Sequence, residues 1–76
     1  MNNHRRKEIA RALGLLNEAA EIIDFCQNEE QDYFDNMPEA FQAGEKGQKA
    51  EEVAGCLEEN LDSIQTIVAE LEEAAQ

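Results

Sequence analysis

Few side chains in this sequence are equipped for covalent chemistry, and their spacing works against it. His4 is the only histidine and sits near the start of the chain among Arg5, Arg6 and Lys7, a setting for a solvated surface residue and not for a general base. Ser63 is the only serine and no histidine lies within plausible reach of it, so a Ser-His-Asp triad is excluded. Cys26 or Cys56 would need an electropositive neighbourhood to become a nucleophile, and both have acidic surroundings. No Glu-x-x-His pair exists to ligate a di-iron centre. The stretch from Asp24 to Asp35 is acidic like a calcium loop, but it lacks the central glycine and the apolar periodicity continues through it. No glycine-rich phosphate loop follows a strand. The residue types therefore predict no enzyme: no catalytic set, no cofactor and no metal.

What remains is charge. Eighteen Asp and Glu against six Lys and Arg give a formal net charge of -12, which repels nucleic-acid phosphates and anionic headgroups alike. Direct nucleic-acid binding and membrane-surface binding are both disfavoured, and any partner chosen by charge must be basic. The distribution is uneven: residues 1–11 carry a net +3 and residues 12–76 a net -15. Glu18, Glu21, Asp24, Glu29, Glu30, Asp32 and Asp35 precede Glu39 and Glu45, and Glu51, Glu52, Glu58, Glu59 and Asp62 follow. Such rows either form a solvated outer face or, held on a rigid rod, imitate the phosphates that a basic groove expects. The expected partner-binding set is Glu29, Glu30, Asp32, Asp35, Glu51 and Glu52, with Tyr33 and Phe34 beside them. Tyr33, Phe34, Met37 and Phe41 cluster near the middle of the chain, where they suit a plug for the end of a helical bundle, with Phe41 at its centre, or a partner hot spot.

The elements that must position these groups follow from periodicity. Ile9, Leu13, Leu16, Ala20 and Ile23 step by four and three, and after Gln27 and Glu30 the same stripe reaches Phe34 and Met37. A companion stripe of Ala12, Leu15, Ala19, Ile22, Cys26 and Tyr33 widens the apolar face. Asn2 or Asn3 can cap this helix and Pro38 bounds it, which predicts a helix over about 3–35. Ala50, Ala54, Leu57, Leu61, Ile64, Val68, Leu71 and Ala75 form the second stripe, with Val53, Ile67 and Ala74 as companions, predicting a helix over about 45–75. The connection, about 36–44, holds Pro38 at the start of one short helical turn and Gly44 at its end. Gly14 and Gly55 fall inside the helices, where each costs roughly 1 kcal/mol against Ala unless a neighbour packs closely, and close packing is expected.

Two matched helices with a short connection fold back antiparallel. That sets the basic start beside Glu70, Glu72 and Glu73, where cross-helix pairing offsets the unfavourable macrodipole terms. It also sets Cys26 and Cys56 at one level, as neighbouring free thiols that pack as small core hydrophobes in a reducing cytosol. A lone hairpin buries one stripe per helix, so a second apolar stripe implies association. The fold expected is thus one all-α domain over 1–76, an antiparallel helical hairpin pairing as a homodimeric four-helix bundle. Leu13, Leu16, Ile23, Leu57, Leu61, Ile64 and Val68 supply its core. The basic start runs into Glu8 and an amphipathic pattern, not into the apolar core of a signal peptide, and no stretch approaches the ~20 apolar residues of a membrane span; a cytosolic location is expected.

The run Glu29-Glu30-Gln31-Asp32-Tyr33-Phe34-Asp35-Asn36-Met37-Pro38-Glu39, followed by Gln42 and Glu45-Lys46-Gly47, resembles short acidic proteins of phages and prophages of Gram-positive bacteria. In these an acidic helix, an Asp-Asn-apolar-Pro-Glu turn and a Glu-basic-Gly step precede a second acidic helix. Ala43 stands where that pattern would place a serine cap. The resemblance implies a phage accessory product that binds a host protein. The function expected is inhibition of a basic host factor, such as a defence nuclease, by carboxylate-rich mimicry of nucleic acid in the host cytosol. The alternative is a structural or assembly component docking through an apolar helical stripe.

Overall fold

A computed structural model describes Met1–Gln76 and is all-helical, with α1 over Asn3–Asp35, a single turn α2 over Glu39–Gln42, and α3 over Glu45–Ala74. Local chemistry sets each boundary. Asn2 is the N-cap of α1, its side-chain oxygen accepting from the Arg5 backbone N–H at 2.8 Å. Met37 precedes Pro38 and is pushed out of the helical region, so α1 stops at Asp35 with Asn36 as its cap. Pro38 is the residue before the turn of α2, with φ -56° and ψ 149°, one position earlier than the first helical position expected of it. Gly44, not Ala43, caps α3 from an extended conformation without a side-chain bond, which explains why no serine is required at Ala43.

The periodic stripes become one seam. Writing the heptad so that Leu13, Ala20, Gln27 and Phe34 are a and Ile9, Leu16, Ile23, Glu30 and Met37 are d, α3 supplies Gly47, Ala54, Leu61, Val68 and Ala75 as a and Ala50, Leu57, Ile64 and Leu71 as d. Each of these eighteen residues is buried or half-buried. Matching a positions of one helix to d positions of the other implies an antiparallel register with Leu13 level with Leu71, Leu16 with Val68, Ala20 with Ile64, Ile23 with Leu61, Gln27 with Leu57, Glu30 with Ala54 and Phe34 with Ala50, in keeping with a shared depression lined by Asn17, Ala20, Glu21 and Asp24 of α1 and Leu61 and Gln65 of α3. The seven residues expected in a dimer core all lie at seam positions and are half-buried within the single hairpin.

The hairpin is a rod of 58 × 15 × 13 Å. Its radius of gyration, 17.2 Å, compares with about 11 Å for a compact domain of this length. Only Gly47, Ala50 and Ala54 are fully buried, all near the tip, where small residues let the helices converge. A Cβ on Gly47 would collide with the backbone of Gln42, so this glycine is required by close approach of the connection. Gly14 and Gly55 meet nothing within 4 Å, so the close packing expected there is absent; both lie on the solvent side of the seam.

The tip departs from expectation in one further respect. Phe41 is 58% exposed and does not plug the bundle end. Phe34 and Met37 are half-buried at seam positions, while Phe41 on α2 lies off the seam. Gln42 ties the turn to α1, its Nε2 donating to the Phe34 carbonyl at 3.0 Å.

Candidate functional site

In an antiparallel pair the e positions of both helices lie on one flank of the seam and the g positions on the other. The hairpin thus has two flanks of unlike chemistry. The e/b flank carries Asn17, Glu21, Asp24, Gln31 and Asp35 from α1, and Glu51, Glu58, Asp62, Gln65 and Glu72 from α3. The g/c flank carries Ala12, Leu15, Ala19, Ile22, Cys26 and Tyr33 from α1, and Val53, Cys56, Asn60, Ser63, Ile67 and Ala74 from α3. The companion stripes of the two helices, separate features in the sequence, become one continuous surface.

On the polar flank, Asn17, Ala20, Glu21 and Asp24 of α1 and Leu61 and Gln65 of α3 line an open depression of about 420 Å³. Ala20, small for its seam position, and Leu61 give it an apolar floor, with Glu21 and Asp24 on the α1 side and the Gln65 amide on the α3 side. Farther toward the tip, Gln31 Nε2 donates to Asp35 Oδ1 at 3.1 Å and holds that carboxylate along the flank. An apolar floor with two carboxylates along one side suits the stem and head of a Lys or Arg side chain.

On the other flank large apolar groups stand in solvent: Leu15 is 58%, Ile22 60%, Tyr33 52% and Ile67 46% exposed. Cys26 and Cys56 are free and lie on this exposed flank, so neither is the core hydrophobe expected from its type. The Cys56 Sγ accepts from the Asn60 side-chain amide at 3.8 Å. Phe25, 64% exposed, lies at an f position on the back of α1.

The residues expected to bind a partner do not share a face. Asp35 and Glu51 are on the polar flank, Asp32 and Glu52 on the backs of opposite helices, Glu29 and Tyr33 on the apolar flank, and Glu30 and Phe34 half-buried in the seam. Glu21, Asp24, Glu58 and Asp62 are the carboxylates that gather in the middle of one face; their e and b heptad positions were the signal that identifies them. The cross-helix ion pairs expected at the open end are absent too. The one salt bridge is Arg11 to Glu8 at 3.8 Å within α1, both side chains largely exposed. Long exposed side chains gain too little from pairing to be held across the gap.

No group of three or more His, Cys, Asp or Glu side chains is gathered closely enough to hold a metal ion. No helix is long and apolar enough to cross a membrane. Compared with protein-family models, with curated proteins and with solved structures, the chain matches none of them.

Proposed function

We propose that this chain is a non-enzymatic binding protein that pairs with a second copy into a four-helix bundle and presents its acidic flank to the basic groove of a nucleic-acid-handling partner. The segregation of charge carries this reading. Arg5, Lys46 and Lys49 balance Glu8, Glu29 and Glu70 on the g/c side, so that side is neutral and the entire net charge of -12 lies elsewhere. One face is thus free to be covered, while the e/b flank carries a net -6 and the backs of the helices a net -5, a negative field that steers a basic partner. The depression beside Ala20 adds a place for a cationic side chain, its stem on Ala20 and Leu61 and its head on Glu21 and Asp24.

The resemblance to phage accessory proteins supplies the class of partner, a host defence nuclease in the cytosol whose nucleic-acid site the carboxylates occupy. Inhibition is measured as loss of DNA cleavage by such nucleases as the protein is titrated in. The inhibition constant should rise with salt, and also when Glu21, Asp24, Glu58 and Asp62 are together replaced by their amides. Inhibition indifferent to both changes would sink the proposal.

A second reading is favoured by the exposed Leu15, Ile22, Tyr33 and Ile67: an assembly component docking on a larger protein through the apolar flank. Binding that ignores salt and disappears in Ile22→Asp selects it.

A further inference from the structure

We infer that the neutral g/c flank is a self-association face on which two hairpins lie antiparallel, the tip of each beside the open end of the other, about a two-fold axis passing between the two copies of Asn60. This deepens the paired-bundle proposal and rests on it.

The surface area asks for a covering. The chain exposes 5772 Å², where a compact monomer of 8.5 kDa exposes about 4,650 Å². The excess is of the order of the ~800 Å² that each partner contributes to a standard interface, and a flank of a 58 × 15 Å rod can supply it. Charge then selects the occupant. A second copy carries the same -12 and can approach closely only over a face of zero net charge, and the g/c flank is that face.

The same flank also fixes the direction. Two hairpins stacked face to face about a two-fold axis across their length lay α1 on the partner's α1 and α3 on the partner's α3, each pair antiparallel. With Asn60 on the axis, Ile67 meets the partner's Val53, and Lys49 meets the partner's Glu70 at both ends of the interface. On α1 the same shift sets Leu15 against the partner's Tyr33 and Ile22 against the partner's Cys26. The large apolar groups meet apolar groups and Lys49 pairs with Glu70, while Glu29 falls opposite the partner's Ala19 and Cys56 opposite the partner's Ser63. The Asn60 amide, whose one bond is the long contact to Cys56 Sγ, gains its own copy as a hydrogen-bonding partner. A polar pair of this kind costs some stability and specifies register. A two-fold axis along the rod would instead lay α1 on the partner's α3. Ile22 would then rest on Asn60 and Ser63, and Lys49 and Glu70 would lose their partners.

The test begins with light scattering of the full chain in reducing buffer. A mass of twice 8.5 kDa is expected, falling to the single-chain value in Ile22→Asp with helical circular dichroism retained, because Ile22 lies outside the seam. Lys49→Glu and Glu70→Lys should each raise the dimer dissociation constant about tenfold, and the double variant should recover it. In a Cys26→Ser, Cys56→Ser background, Asn60→Cys should join the two chains on treatment with diamide, which takes the two electrons and two protons that the thiols lose. A monomeric wild type overturns the inference. So does a dimer in which oxidation joins Cys26 to the partner's Cys56, the product of the axis along the rod; that result leaves pairing itself intact. Nuclease inhibition measured in parallel separates the two proposals, since a monomer that still inhibits removes the dimer and spares the acidic flank.

Discussion

The two flanks of this hairpin have the same backbone, the same helices and the same distance from the seam, yet they are built for opposite surroundings. On one, Glu21, Asp24, Asp35, Glu51, Glu58, Asp62 and Glu72 keep water and counterions close; on the other, Leu15, Ile22, Tyr33 and Ile67 stand in water they do not favour. The seam that separates them is thin. Its large side chains are only half-buried, and full burial is confined to Gly47, Ala50 and Ala54 at the tip. So small an interior beside a neutral, exposed apolar flank supports the binding role proposed above.

The contrast breaks most severely at the seam, since both flanks depend on it. Gly47→Ala forces a methyl group into the Gln42 backbone and should lower stability by about 2 kcal/mol, roughly 10 °C in the thermal midpoint followed by circular dichroism at fixed protein concentration. An unchanged midpoint would mean that the connection does not close on α3 as described.

The acidic flank gives the next largest effect. Glu21→Gln, Asp24→Asn, Glu58→Gln and Asp62→Asn together should weaken binding to an arginine-rich peptide about tenfold at low salt, by calorimetric titration, and flatten its salt dependence. Replacing Asp32 and Glu52, on the backs of the helices, should do far less. Equal losses from both sets would show that total charge matters and the flank does not.

Glycine sharpens the comparison on a smaller scale. Gly14→Ala and Gly55→Ala add a methyl group in open space and should each stabilise the hairpin by about 0.5–1 kcal/mol, read as a raised thermal midpoint. A loss at either position would reveal a contact absent from the isolated chain. At the bottom of the scale, Arg11→Ala removes an exposed pair and should leave the melt unchanged within error.

Much of this fold is legible in order along the chain. The four-three spacing of Ile9 through Met37 and of Ala50 through Ala75, the Asn2 cap and the stop before Pro38 place both helices to within a residue. The site is less legible. Glu29 through Asp35 are neighbours in sequence and look like one acidic patch, but 100° per residue scatters them over the seam, both flanks and the back of α1. Glu21 and Asp62 are remote in sequence and share a flank.

Sequence by itself determined what depends on nearest neighbours and on period: all-helical content, helix ends, one wide apolar face per helix, and a net charge of -12. Only the tertiary structure decided that Gly47 is crowded while Gly14 and Gly55 are open, that Phe41 is exposed while Phe34 and Met37 are half-buried, that both cysteines face water, and that the companion stripes merge into one flank. The first depends on the path of the connection past α3, and the others on the rotation and register of α3 against α1. The connection and the seam set those two quantities jointly, through contacts between residues far apart in the chain, and no local pattern encodes them.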